Sequence, residues 1–116
     1  MLNTSKYDIS SYAKQLCSDI RYVRANNMLG NMNTYIQIVK GKGSYILMDK
    51  GIKVKEIHPP SSVKTSWYSD KIRFKRDGIP NPTGGTIKIM SKKYNNEITV
   101  VPVSGRVLLK EGQYEK

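Results

Sequence analysis

The stretch from Tyr7 to Leu29 constrains the fold more than any other, because it alone has the period of an α-helix. Its apolar residues recur at steps of three and four, which places them on one buried stripe. They are Ile9, Tyr12, Ala13, Leu16, Cys17, Ile20 and Val23. Polar residues between them predict a solvent-facing side, and Gly30 is suited to end the helix. We predict one long helix over residues 6–30, on which the rest must pack.

After Gly30 the pattern changes to short apolar or alternating runs, which are typical of β-strands. The predicted strands are Tyr35–Val39, Tyr45–Met48, Ile52–Ile57, Val63–Trp67, Ile72–Lys75, Thr86–Met90, Ile98–Val103 and Arg106–Lys110. Turns are expected at Gly41–Gly43, Asp49–Gly51, Arg76–Gly78, Asn95–Asn96 and Ser104–Gly105. Short strands joined by brief turns predict an antiparallel sheet or sandwich, with one apolar face partly covered by the helix.

The length of 116 residues suits a single domain. We divide it into a helix over 6–30, a β-sandwich over 34–110 and a flexible polar tail over 111–116. With 38% hydrophobic and 25% charged residues, the chain is expected to fold rather than stay disordered. No apolar run within it approaches the ~18 residues of a membrane span.

The net charge of +11 favours a polyanionic partner, either nucleic acid or an anionic membrane surface. A second interpretation stays open. The chain is rich in Lys, Ile, Asn and Tyr together, a residue set that AT-rich codons supply. Compositional drift therefore explains the charge as readily as selection for basicity does.

The sequence carries no pattern typical of an enzyme or a metal protein, so we predict no catalytic residues, no metal and no cofactor. Cys17 is the only cysteine, which leaves no internal disulfide. His58 is the only histidine and is expected on a surface loop. The carboxylates are scattered, and no pair has the spacing of an acid–base couple. Trp67 and Tyr68 are expected to plug a sheet edge or an interface, with base stacking as the alternative.

Basic residues gather on the outward faces of the later strands and at the turns beside them. As a candidate anion- or DNA-binding stripe we select Arg73, Lys75, Arg76, Lys88, Lys92, Lys93, Arg106 and Lys110. Arg21 and Arg24 lie a turn apart on the helix. Neighbouring strands would merge some of these cations into one phosphate-binding surface. The alternative is a solvated face that serves solubility.

Several short motifs keep a shared order and spacing along the chain. They are Leu16, Asp19-Ile20-Arg21, Val23-Arg24-Ala25, Ile72-Arg73-Phe74, Asp77-Gly78-Ile79-Pro80, Gly85-Thr86-Ile87, Ile98-Thr99-Val100 and Ser104-Gly105-Arg106-Val107. Together they resemble the GspH/FimT-type minor pseudopilins, in which Ala-Arg-Ser usually stands at the position of Val23-Arg24-Ala25. The positions to which the resemblance assigns a structural role are Phe74, Gly78, Gly85, Gly105 and Arg106.

The resemblance implies an α+β fold, in which a single N-terminal helix packs on an antiparallel β-sandwich of seven to eight short strands. It also implies a non-enzymatic protein that a prepilin peptidase processes. Such proteins enter the membrane, and then a filament, through a hydrophobic N-terminal half of the helix. We expect that this half is missing here and that Met1 was added to a soluble piece. An encoded reading frame that truly begins at Met1 would contradict that expectation.

Two functions follow from the resemblance. The first is a minor pilin or pseudopilin of a type IV pilus or a type II secretion-like filament, acting in assembly initiation or at the tip. Its partners would be other minor and major pilins, bound through the helix and the sandwich, and the membrane, reached through the missing segment. Its globular domain would lie outside the cytoplasm of a bacterium.

The second function is a DNA-binding minor pilin for DNA uptake, which would use the basic stripe. That branch of the family is associated with a Gly-Arg-x-Arg element in the C-terminal region. Here Gly105-Arg106-Val107 is followed by Leu108, so the second arginine is absent. The departure weighs against DNA, whereas the net charge favours it.

Overall fold

The computed structural model describes residues 6–112 of the chain. One helix, α1 (Lys6–Met28), precedes eight strands. The strands are β1 (Tyr35–Ile38), β2 (Tyr45–Asp49), β3 (Ile52–Ile57), β4 (Lys64–Ser66), β5 (Lys71–Ile72), β6 (Gly85–Met90), β7 (Asn95–Val100) and β8 (Val107–Lys110). The predicted fold class, one N-terminal helix packed on antiparallel sheets, is confirmed.

The predicted buried stripe of α1 is confirmed, since all of its apolar members are buried. Asp19 and Asn27 are buried as well, and both lie on or beside the stripe. After Met28 the chain turns at Gly30, whose φ is +97° and whose N–H donates to the carbonyl of Asn27. The left-handed glycine therefore closes the helix as its position predicts.

The strands form two four-stranded sheets, each antiparallel throughout. The first sheet has the order β3-β2-β1-β5 and the second the order β4-β6-β7-β8. The helix contacts β1 of the first sheet and β7 and β8 of the second. Its stripe, together with residues such as Tyr45, Phe74 and Ile98, makes one continuous apolar core.

The predicted strand over Ile72–Lys75 is wrong in its extent. β5 ends at Ile72, and Phe74 then forms an isolated bridge with Pro80. The Lys75 N–H donates to the carbonyl of Ile79 at 2.8 Å. The chain therefore folds back on itself around Asp77 and Gly78, and this local pairing replaces further pairing with β1.

The predicted turn at Asn95–Asn96 is wrong, because both residues belong to β7. They pair with Met90 and Ile89 of β6. The Asn96 side chain is buried and accepts a hydrogen bond from the Gly112 N–H. The hairpin turn lies earlier, at Ser91–Tyr94, where the Ser91 N–H donates to the carbonyl of Tyr94 at 2.9 Å.

The predicted half-buried strand at Ile52–Ile57 exists, but of its apolar residues only Ile57 packs against the core. Ile52 is 70% exposed and Val54 is 56% exposed. β3 lies at the edge of the first sheet, and its register with β2 shifts between Leu47 and Met48. A bulge of this kind disrupts the alternation of faces on which the prediction relied.

The tail predicted over 111–116 lies only partly within the described residues. Glu111 accepts a hydrogen bond from the Ser10 hydroxyl of α1. Gly112 accepts from the Asn95 N–H and donates to Asn96. Residues 113–116 are outside the described part of the chain.

Gly84 and Gly85 lie where other groups approach the backbone closely, one of the two roles, with a turn, that a Gly-Gly pair suits. A Cβ on Gly84 would lie 2.3 Å from the carbonyl oxygen of Val100. A Cβ on Gly85 would lie 2.6 Å from the Tyr68 ring. Trp67 and Tyr68 are half-buried and pack against the core, in agreement with the packing role expected for both.

Candidate functional site

The residues of the predicted basic stripe occupy separate places on the surface. Lys88 of β6, Glu97 of β7 and Lys110 of β8 share one row across the second sheet. At the usual strand spacing the two lysines are about 10 Å apart. Glu97 lies between them, so the row alternates in charge. Lys92 and Lys93 are exposed in the turn between β6 and β7.

The other cations of the predicted stripe lie near the C-terminal half of α1. Arg73 is half-buried after β5, and Lys75 and Arg76 are exposed before the turn at Gly78. The Arg76 guanidinium carbon is 3.6 Å from where a Cβ on Gly30 would stand. A cation there complements the partial negative charge of a helix C-terminus. The described residues therefore do not form one unbroken phosphate-binding stripe.

A groove runs between the C-terminal half of α1 and the start of β8. Its lining residues are Arg21, Arg24, Ala25, Met28, Arg106, Val107 and Leu108. We call it the arginine groove. Of the predicted stripe it contains Arg106 alone. Sequence reasoning noted that Arg21 and Arg24 share a helix face, but the return of β8 alongside them is a long-range contact that no local pattern predicts.

Arg24 connects the helix to two loops. Its Nε donates to the carbonyl of Gly78 at 3.0 Å, and its Nη2 donates to the carbonyl of Ser104 at 3.1 Å. Gly78 belongs to the turn after β5, and Ser104 to the turn before β8. One half-buried guanidinium thus satisfies carbonyls of both turns and fixes them against α1.

Arg21 binds the strand nearest the helix in the second sheet. Its Nη2 donates to the carbonyl of Val107 at 2.7 Å. Among the described strands β8 is at the edge of that sheet, so no strand of residues 6–112 pairs with its outer backbone groups. The arginine satisfies one of these carbonyls and covers part of the edge.

The positions to which the resemblance assigns a structural role all lie at contacts between elements, except Arg106. Phe74 is fully buried, and its N–H donates to the Asn27 side chain at 2.7 Å. Gly78 and Gly105 meet at the Arg24 contact, and Gly85 leaves space for Tyr68. Arg106 is exposed. Its assigned role in the fold stays a prediction.

A buried polar cluster lies where α1 faces the first sheet. Asp19 accepts a hydrogen bond from the Tyr45 hydroxyl at 2.7 Å and forms an ion pair with Lys55 at 2.9 Å. Its remaining acceptor capacity is used by Gln15 at 3.2 Å. The sequence pattern placed Asp19 on the wet face, which is wrong. Because Asp19 is three residues from Leu16, it borders the stripe, and a carboxylate there needs buried partners.

Burial raises the pKa of Tyr45 well above its usual range, and the hydrogen bond to Asp19 raises it further. Burial also raises the pKa of Tyr68, to about 12. An unfolded chain releases tyrosine protons near pH ~10. Above that pH the folded state holds protons that the unfolded state has lost. The free energy of unfolding therefore falls as the pH rises above about 10.

Tyr45→Phe is expected to make this alkaline loss of stability shallower, by up to about 1.4 kcal/mol per pH unit. Urea unfolding at several pH values between about 9 and 11 measures the slope, and this pH range brackets the ordinary tyrosine pKa. Tyr7→Phe is the matched control, because Tyr7 is 79% exposed and its removal should leave the slope unchanged. Equal slopes for the Tyr45→Phe variant and the unmodified chain would contradict the prediction.

Within residues 6–112 there is no group of three or more His, Cys, Asp or Glu side chains able to hold a metal ion. His58 is exposed, and its Nε2 lies 3.4 Å from a Glu56 oxygen. Cys17 is buried in the core, as its place on the stripe predicts. Over the same residues, no helix combines the length and apolar character that crossing a bilayer requires.

One N-terminal helix packed on two antiparallel sheets defines the pilin type of fold. The chain is similar in structure to the type IV minor pilin FimU of Pseudomonas aeruginosa strain PAO1. Against the FimU crystal structure in space group P21 the TM-score is 0.74 at 15% identity, covering 90% of this chain and 89% of that one. In space group P65 the values are 0.68 and 17%, covering 87% and 91%.

No protein-family model matches the chain, and no curated protein matches it either. At such low identities the likeness shows the fold alone. The chain therefore has the fold of a type IV minor pilin, which confirms the architecture that the motif resemblance implied.

Proposed function

We propose that this chain is a minor, non-enzymatic subunit of a pilin-type filament. The observation that carries the proposal is the helix itself. α1 packs against both sheets along one buried stripe, and the whole arrangement superposes on a type IV minor pilin over most of both chains. A type IV pilus and a type II secretion-like filament are both consistent with this fold.

In this role the chain belongs on the bacterial surface or in the envelope, and its partners are other major and minor pilins. Assembly initiation and a position at the filament tip are the specific roles that we propose. Support comes from the fold, which is similar to that of a type IV minor pilin over most of both chains. Such a subunit would act through packing and hydrogen bonding rather than catalysis.

Deleting the encoding gene in the source bacterium tests the proposal. We expect fewer surface filaments per cell, counted by electron microscopy, and recovery when the gene is returned. A returned copy that does not fold should fail to restore them. Unchanged filament numbers in the deletion strain would contradict a role in assembly initiation.

The second candidate is DNA binding for uptake, and the net charge of +11 favours it. Lys88 and Lys110 would contribute phosphate contacts from one row of the second sheet, despite the intervening Glu97. A gel-shift titration of duplex DNA across salt tests this. Genuine phosphate binding loses affinity steeply between ~50 and ~200 mM salt.

If the row binds DNA, Lys88→Glu combined with Lys110→Glu should weaken binding at least about tenfold. Lys42→Glu, in the exposed hairpin turn between β1 and β2, makes the same kind of charge reversal elsewhere. It should have a smaller effect. Absence of a shift at low salt removes this candidate.

A further inference from the structure

The arginine groove brings three arginines together without any carboxylate among its lining residues. Its volume is about 390 Å³, enough for a few side chains of a partner. The groove lies beside the C-terminal half of α1, and the exposed Leu108 is one of its lining residues. Its lining therefore combines cationic and apolar side chains.

Two of these arginines are held in place by the fold. Backbone carbonyls accept one N–H of Arg21 and two N–H groups of Arg24, out of five on each guanidinium. The remaining donors are available to a ligand, and fixing the guanidinium in advance lowers the entropy cost of binding. Arg106 adds an exposed third guanidinium beside them.

Among the described residues, the protein's own acids do not neutralise this groove. Three lysine–carboxylate ion pairs join residues 6–112, from Lys40, Lys53 and Lys55, and a fourth contact places His58 Nε2 3.4 Å from Glu56. None of these pairs includes an arginine. An arginine fork matches a carboxylate with two parallel hydrogen bonds, so the groove offers geometry that the chain itself leaves unmatched.

Large apolar side chains are exposed in the same groove. Met28 is 42% exposed and Leu108 is 43% exposed. Arginine and methionine are both enriched in protein–protein interfaces, whereas lysine is depleted. Of the lining residues, none is a lysine. The mixture of arginine with exposed apolar surface favours a protein segment over the uniform phosphate backbone of DNA.

We propose that the arginine groove binds an acidic segment of a different polypeptide, in which carboxylates alternate with apolar side chains. The carboxylates would pair with Arg21, Arg24 and Arg106, and the apolar side chains would contact Met28 and Leu108. A second copy of this chain is a poor occupant, because both copies would carry a net charge of +11. Resting on the proposed filament role, this polypeptide is a neighbouring acidic subunit.

Three probes test the groove with the 116-residue chain. They are a short peptide that alternates leucine and glutamate, its leucine–glutamine counterpart, and a duplex DNA oligonucleotide. Calorimetry or fluorescence anisotropy measures the affinity for each probe. We expect saturable binding of the glutamate peptide and at least about tenfold weaker binding of the glutamine peptide.

Arg106→Glu is expected to weaken binding of the glutamate peptide at least about tenfold, since it reverses one of the pairing charges. Lys42→Glu is the matched control, with the same charge change at the exposed turn between β1 and β2, and should reduce affinity less than about threefold. Leu108→Gln, which keeps the charge, should also weaken binding. Both groove positions are exposed, so urea midpoints close to that of the unmodified chain are expected.

Equal losses in Arg106→Glu and Lys42→Glu would overturn the proposal, because affinity would then follow net charge rather than the groove. DNA binding that Arg106→Glu abolishes, without any peptide binding, would also overturn it and assign the groove to nucleic acid. If filaments still contain the protein but Arg106→Glu changes neither its incorporation nor peptide binding, the groove inference fails while the filament role stands.

Discussion

Gly105→Ala is expected to lower the free energy of unfolding by about 4 kcal/mol or more, among the largest effects of a single substitution. A Cβ at this position would lie 1.8 Å from the carbonyl oxygen of Gly78. That carbonyl also accepts a hydrogen bond from the Arg24 Nε. Displacing the carbonyl therefore breaks the contact between α1 and the turn at Gly78. The φ of +76° adds backbone strain for any residue with a Cβ.

Gly41→Ala separates the two causes. Gly41 has a φ of +85°, but nothing lies within 4 Å of the position of its Cβ. This variant should therefore show backbone strain alone, about 1–2 kcal/mol. Urea unfolding of both variants measures the difference. A Gly105→Ala loss no larger than that of Gly41→Ala would show that the Gly78–Gly105 approach does not stabilise the fold.

Asn27→Asp is expected to lower the free energy of unfolding by about 3 to 5 kcal/mol at neutral pH, although the two side chains have nearly the same shape. Asn27 is fully buried. Its Nδ2 donates to the carbonyls of Asn31 at 2.8 Å and Thr34 at 2.9 Å. A carboxylate has no N–H to donate, so it would face two carbonyl oxygens with a buried negative charge. Only the bond from the Phe74 N–H would remain.

The pH dependence of this variant identifies the cause. Burial raises the pKa of the introduced carboxyl group above its unfolded value, so the protonated form is favoured in the folded state. The stability difference from the unmodified chain should therefore shrink as pH falls toward about 4. Asn33→Asp makes the same chemical change at an exposed neighbour and should cost less than about 0.5 kcal/mol. A pH-independent loss in Asn27→Asp would contradict the buried-charge explanation.

The helix and the turns that contain glycine were predictable from local pattern because their causes are local. The apolar period that ends at Val23 follows from the geometry of the helix itself. Gly30 adopts a left-handed backbone conformation that other residues reach only with strain. The same period extended by four residues falls on Asn27. A polar residue on a buried stripe indicates that it has hydrogen-bond partners in the folded chain. Asn27 has three, and the sequence pattern does not identify them.

The misplaced features depend on contacts far apart in sequence. Asn95 and Asn96 belong to β7, and Gly112, which follows β8, exchanges hydrogen bonds with both. Asp19 is buried because Tyr45 and Lys55 return to it from the first sheet. No local period encodes such returns, so the predictions failed where long-range pairing decides the structure.

For the candidate site, the sequence identified basic residues but not their grouping. Arg106 was selected with the strand lysines, whereas it lies beside Arg21 and Arg24 in the groove. Neighbouring strands were expected to merge some of the cations into one surface, but Glu97 occupies the position between Lys88 and Lys110. Grouping follows from strand order and register, which are set by the whole sheet.

The filament role is tested most directly by quantifying this protein in filaments sheared from the source bacterium and purified. Mass spectrometry with labelled standard peptides gives its amount relative to the major subunit. A minor subunit should be present reproducibly at a small fraction of the major subunit and should disappear from the preparation when its gene is deleted. Its absence from purified filaments that assemble normally would contradict the proposed role.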